Sequence, residues 1–248
     1  MRAAIAALII VFCAPILRSQ GTVPVPINSE PHHHLVLQND FVRVYRLGLP
    51  PHEETLPYTV EHDCISETVQ DGQPADRFAG AVGTSFSPPG KPSSYARGPF
   101  TNVWQNGTNE LYRNVTIELL QPQGKVYSEC VKVSGAQELG CGADIALGHS
   151  FFFGEKGASG RLPIFRTDEI AQFSLFLFGG KQASLEMKNN ALLVFDTKSD
   201  VKVRDTADKE LNLGPGDVLW VAAGSRLDVK NRSKLLDRIT VILFRLPD

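Results

Sequence analysis

Outside its N-terminus the sequence has no apolar run long enough to cross a bilayer as a helix, which takes about 20 residues. It also lacks an excess of either charge. Its 25 Lys and Arg stand against 27 Asp and Glu, and a net charge of -2 gives no electrostatic basis for holding nucleic acid or an anionic membrane. Short basic groups such as Lys230, Arg232 and Lys234 are interspersed with acids and read as solvated loop. No helical periodicity is sustained beyond the first residues. No phosphate-cradling Gly loop, Ser-His-Asp order or paired-carboxylate signature marks an active site. Cysteine and histidine are scarce, four and six residues, so thiol or metal chemistry has few places to sit.

The N-terminus differs from the rest. Arg2 precedes an apolar run over 3–17 that is broken by Pro15, and Arg18, Ser19, Gln20 and Gly21 follow. A basic start, a short apolar centre and small polar residues predict a secretory signal peptide over 1–21, with a retained membrane anchor as the alternative. Cys13 lies in the run, but Ile10, Val11 and Phe12 before it lack the small residues of a lipoprotein signal. The expected location is therefore exported, periplasmic or secreted. The mature chain would begin near Gly21 or Thr22 with an extended arm punctuated by proline.

Export changes how the remaining cysteines read. Cys130 and Cys141 flank a segment with turn residues at Ser134 and Gly135, so they can face each other across a hairpin. In an oxidising compartment a disulfide is expected there, stabilising by about 3 kcal/mol; two free buried thiols are the alternative. Cys64 is left over. It reads as an inert buried thiol, because only His62 lies near it in sequence.

What the chain does have is period-2 patterning. The stretches 41–47, 115–119, 201–204 and 239–244 are rich in β-branched and aromatic residues and bounded by Gly, Pro and Asn, which predicts an all-β fold. The pattern also repeats. Residues 41–56 lie on 170–185, Pro89-Gly90 on Pro215-Gly216, and 106–113 on 231–238, with Asn106 on Asn231 and Arg113 on Arg238. Two tandem β-barrels are expected, over 22–122 and 161–248, joined by a linker over 123–160 that carries the Cys130/Cys141 hairpin.

The stretch from Gly216 to Asn231 resembles the cupin superfamily, specifically its two-domain members. The family's second motif reads Gly, five residues, Pro-x-Gly, two residues, His, three residues, Asn. Gly216, Gly224 and Asn231 keep that spacing, while Ala222 replaces the Pro and Leu227 the His. In the first repeat Asn106 fits and Asn102 stands at the histidine position. Residues 30–44 also look like the opening strand of small bacterial cupins. The resemblance implies two jelly-roll barrels, each with a metal held by a His-x-His pair, a Glu and a later His. Two histidines two apart on a strand share a face, which is why that spacing can bind one ion.

Here the expected ligands are missing. Counted from Pro51, the paired positions fall on Pro57 and Thr59, with Asp63 near the Glu position; a shift by one gives Tyr58 and Val60. In the second repeat they fall on Glu186 and Lys188. The expectation is a cupin without the usual metal site or any cofactor, serving in small-molecule binding or structure. Its candidate pocket comprises Thr59, Asn102, Trp104, Glu186, Lys188 and Leu227. Glu186 and Lys188 form a buried ion pair if they face inward and are unremarkable if they face solvent. The alternative is a metal-dependent enzyme of dioxygenase, isomerase or decarboxylase type, with a relocated site drawn from His32, His34, His62 and Asp63. A small polar ligand is the expected partner. A homodimer is compatible with the fold but unmarked in sequence.

Overall fold

The structure, a computed structural model, describes residues 23–69, 93–128, 152–153, 159–196, 199–204, 209–232, 234 and 237–245. The expected signal over 1–21 and the Cys130/Cys141 hairpin lie outside the described residues.

The first half contributes β1 (Val25–Pro26), β2 (His33–Gln38), β3 (Val42–Leu49), β4 (Tyr58–Val60), β5 (Asp63–Val69), β6 (Ser93–Ala96), β7 (Phe100–Asn102), β8 (Tyr112–Leu119) and β9 (Val126–Ser128). The second half contributes β10 (Phe152–Phe153), β11 (Ser159–Thr167), β12 (Ile170–Leu177), β13 (Gln182–Glu186), β14 (Ala191–Phe195), β15 (Ser199–Arg204), β16 (Lys209–Leu213), β17 (Val218–Val221), β18 (Arg226–Asn231) and β19 (Asp237–Phe244). The one helical element among the described residues is the 3-10 turn Ile27–Ser29. No helix there is long and apolar enough to cross a membrane.

The larger sheet of the first half runs β2-β3-β8-β5-β6, and that of the second contains β11-β12-β19-β14-β17, strand for strand the same order. Each is backed by a smaller sheet, β1-β4-β7 in one and β13-β18-β15-β16 in the other. Pairing along β3, β8 and β5 is antiparallel, as along their counterparts β12, β19 and β14. The repeat extends to single atoms. Buried Asn106 donates through Nδ2 to the carbonyl of Leu49 at the end of β3 (2.9 Å), and buried Asn231 to the carbonyl of Leu177 at the end of β12 (2.8 Å). Gly216 and Gly224 sit at φ 79° and 84°, where a side chain is strained. The motif positions that survive are thus those that shape turns and satisfy buried carbonyls.

Apolar residues collect in three places. One cluster fills the first barrel, with Tyr45, Leu47, Tyr58, Val60, Phe100 and Trp104. A second fills the other barrel. The third lies between them, where Val44, Ile65, Ile117 and Leu119 on the outer face of one sheet meet Phe165, Leu192, Ile242 and Phe244 of the other. Trp220 and Val218 pack at this seam, with Trp220 near Phe41 and Phe244 at ring distances of 5.4 and 5.1 Å.

The seam also holds charge. Glu67 of β5 is fully buried and contacts Gln172 Nε2 at 2.5 Å and Thr240 Oγ1 at 3.0 Å, both from the second half. The Arg238 guanidinium lies 4.0 Å from Glu67, donates to the Thr68 carbonyl at 3.1 Å and pairs with Asp196. Burial pushes the Glu67 carboxyl up to about 7. The Asp196 charge adds to the rise, and Arg238 only partly offsets it. Arg46 and Asp217 form a further bridge between the halves, 2.8 Å apart and partly exposed.

Candidate functional site

Strand pleating decides which residues enter each barrel. On β5 and β8, Ile65, Ile117 and Leu119 face the seam, so Cys64, Ser66 and Thr68 and then Asn114, Thr116 and Glu118 face inward. The corresponding inward residues of the second barrel are Ala191, Leu193 and Phe195 on β14 and Ile239, Val241 and Leu243 on β19. In the smaller sheets, Tyr58 opposite Asn102 in barrel 1 corresponds to Leu185 opposite Leu227 in barrel 2. Barrel 1 adds a set of polar side chains to its apolar cluster, whereas the matching positions of barrel 2 are hydrocarbon.

The polar groups of barrel 1 bond largely to each other. Asn114 Nδ2 donates to Ser66 Oγ (2.8 Å) and to the Tyr112 hydroxyl (3.3 Å), and Thr116 Oγ1 donates to Asn114 Oδ1 (3.2 Å). Asn102 Nδ2 donates to the Tyr58 hydroxyl at 3.3 Å. Burial pushes the Tyr58 phenol and the Cys64 thiol up, so both stay protonated near neutral pH and Cys64 is no nucleophile.

At one end of this interior lies a pair that sequence reasoning missed. His33 is paired with Leu47, and opposed residues share a face, so its ring points inward. It is buried and sits 4.5 Å from the Tyr58 ring. Its Nδ1 is 2.6 Å from Oε2 of buried Glu30. Glu30 also accepts from the His32 amide (2.9 Å), His32 Nδ1 (3.0 Å) and the Leu56 amide (3.2 Å). Burial alone would raise the Glu30 carboxyl, but the hydrogen bonds from His33 and His32 outweigh it and hold the group at about 2. Burial lowers the His33 imidazole against the pull of Glu30. No alternation in β2 marks it, since Leu35 two residues on is exposed; the pairing of His33 with Leu47 decides its face.

The sequence-predicted residues divide accordingly. Asn102 and Trp104 are buried in barrel 1 beside Tyr58, and Leu227 is buried in barrel 2. Thr59 faces away, its hydroxyl on the Val25 carbonyl at 3.4 Å, and it leaves the candidate pocket. Glu186 and Lys188 are exposed, so no buried ion pair exists there; Leu185 and Met187 point inward instead. Both corrections have one cause: counting from the turn set the register one residue off, and a slip of one exchanges the faces of a strand. His32 binds Glu30 and Glu53, while His34 is exposed. His62 lies 3.6 Å from Glu118, and Asp63 accepts from the Tyr95 hydroxyl and the Gly98 amide. These four do not converge.

In the register the structure sets, the positions of the family's metal ligands are Tyr58, Val60, Cys64 and Asn102 in barrel 1. In barrel 2 they are Leu185, Met187, Ala191 and Leu227. Neither set fits an ion that requires imidazoles and a carboxylate. Among the described residues no three His, Cys, Asp or Glu are placed to hold one.

No protein-family profile and no curated protein matches the sequence. Solved structures do match. A cupin 2 conserved barrel domain protein from Leptotrichia buccalis superposes with a TM-score of 0.50 at 11% identity, over 86% of this chain and 88% of that one. The chain has the cupin fold. Further cupin-fold likenesses are AerE from Microcystis aeruginosa (TM-score 0.61, 12% identity, 91% and 98% of the two chains) and salicylate 1,2-dioxygenase from Pseudaminobacter salicylatoxidans (0.55, 11%, 86% and 77%). At these identities the cupin likeness speaks to architecture alone.

Proposed function

We propose that this protein is exported and binds a small polar molecule inside barrel 1 without the metal on which many cupins depend. One observation carries the reading: inward positions that are Leu, Phe, Ile and Val in barrel 2 are Ser, Thr, Asn and Tyr in barrel 1. Polar interiors stabilise a fold less than packed hydrocarbon unless every group is bonded. A barrel that keeps one beside an apolar sister keeps it for recognition. Export rests on the N-terminal pattern of Arg2, the apolar run and Gly21.

The test has two parts. Elemental analysis of the exported protein is expected to find iron, manganese and zinc far below one per chain. Near-stoichiometric metal would defeat this reading and favour a metal-dependent enzyme. N-terminal sequencing of the secreted chain is expected to begin near Gly21 or Thr22, and a chain retained in the cytoplasm with Met1 intact would overturn export.

A further inference from the structure

His33 presents a buried polar atom that nothing in the described protein satisfies. Its Nδ1 is engaged by Glu30 at 2.6 Å, while Nε2 is buried with no hydrogen-bond partner among the described residues. Glu30 is ionised and can only accept, so the hydrogen between them belongs to Nδ1; burial lowers the His33 imidazole, so the ring is neutral and Nε2 carries a bare lone pair. A buried acceptor left unmade is costly, and barrel 1 offers other polar groups within the same lining. That lining is also reachable: Ser66 faces inward from a strand with neighbours on both sides, yet it is partly exposed.

We infer that the Glu30–His33 pair is an acceptor site for the hydroxyl of a neutral, ring-bearing molecule held inside barrel 1. This rests on the reading that barrel 1 binds a small molecule, and it names the class. A neutral ligand follows from charge. Buried Glu30 and Glu118 disfavour an anion, and the inward guanidinium of Arg43 already faces Glu118 at 3.7 Å. A cation would find the Glu30 carboxylate already taken by His32, His33 and the Leu56 amide. A ring follows from the walls, where the His33 ring meets Tyr58 at 4.5 Å and Trp104 packs in the same cluster. A hydroxyl follows from the lone pair, which can accept but not donate. The sequence registers the arrangement as Glu30-x-x-His33, with His33 the one buried residue of β2.

The experiment pairs two probes of similar shape, phenol and toluene, with the exported protein. Binding is followed by calorimetry and by nitrogen NMR of the His33 ring. The expected result is a free protein with His33 protonated at Nδ1 alone, phenol binding at least tenfold more tightly than toluene, and an Nε2 resonance that moves with phenol only. In a His33→Phe variant phenol should fall to the level of toluene. Equal binding of both probes to the native protein, with an unmoved Nε2, would overturn the inference and leave barrel-1 binding standing. Binding of neither would overturn both. A native His33 protonated at Nε2 would overturn the inference whatever binds, and that measurement needs no variant to fold.

Discussion

Barrel 1 and barrel 2 run their strands in one order, yet Ser66, Asn114 and Asn102 of the first stand where the second has Leu193, Ile239 and Leu227. The apolar set is the better glue. Each Leu, Ile or Phe taken fully out of water contributes about 1.5–3 kcal/mol, whereas a satisfied buried hydrogen bond contributes about 0.5–1.5 kcal/mol. Barrel 2 therefore holds itself together. Barrel 1 combines a smaller apolar cluster with its hydrogen-bond network and the broad seam it shares with its sister. Two copies of one strand order thus carry different interiors, hydrocarbon throughout in one and hydrocarbon with a hydrogen-bonded polar set in the other.

The sharpest way to break the comparison is to move a polar residue across it. Leu227→Asn, copying Asn102, removes a fully buried side chain and leaves an amide among hydrocarbon. It should cost about 4 kcal/mol in denaturant unfolding. A loss under about 1 kcal/mol would mean that barrel 2 accommodates polarity as readily as barrel 1.

The buried carboxylates of the first half come next, and their signs are opposite. The Glu67 carboxyl is raised from 4.5 to about 7, so the stability of the protonated form is present below pH 4.5 and is lost as pH rises to about 7. Glu67→Gln should remove that dependence and gain about 3 kcal/mol on the native protein at pH 8, with no gain at pH 4. Glu30, lowered from 4.5 to about 2, contributes stability above pH 4.5 that disappears as pH falls toward 2. Glu30→Gln should therefore cost about 2–3 kcal/mol at pH 7 and nothing at pH 2. Urea unfolding across pH checks both, and parallel curves for native and variant proteins would refute the assignment.

A smaller effect tests the symmetry itself. Asn106 donates to three carbonyls, of Leu49, Pro50 and Glu110, at 2.7–3.0 Å. Asn106→Ala should cost about 2 kcal/mol by leaving buried acceptors unmade. Asn231→Ala should do the same in the sister barrel, and a neutral result in either would separate the two repeats. The smallest stability change belongs to Asn102→Leu, about 1 kcal/mol by urea unfolding, since the Tyr58 hydroxyl loses its amide donor while a buried apolar side chain partly offsets the loss.

Much of the fold could be read in advance because its causes are local. Alternation and β-branched residues marked β3, β8, β15 and β19, and the recurrence of Asn106 and Asn231 after matching strands exposed the duplication. The site was less legible. Of the candidate pocket, Asn102, Trp104 and Leu227 lie inside a barrel, whereas Thr59, Glu186 and Lys188 face away. Face assignment depends on a register that turn length sets, and an error of one residue reverses it. Glu30 and His33 carry no local signature: the i, i+2 spacing marks His32 and His34, and only the pairing of β2 with β3 turns His33 inward.

The sequence by itself determined an all-β chain of two similar units, with the metal-ligand pattern of its likeness missing from both, because alternation, turn glycines and ligand spacing are written in neighbouring residues. Only the tertiary structure decided that the first interior carries polar groups where the second is apolar, that His33 rather than His32 or His34 turns inward, and that Glu67 meets Gln172 and Thr240 across the seam. Those contacts join strands far apart in the chain. Their energies follow from burial, which no single stretch of sequence fixes.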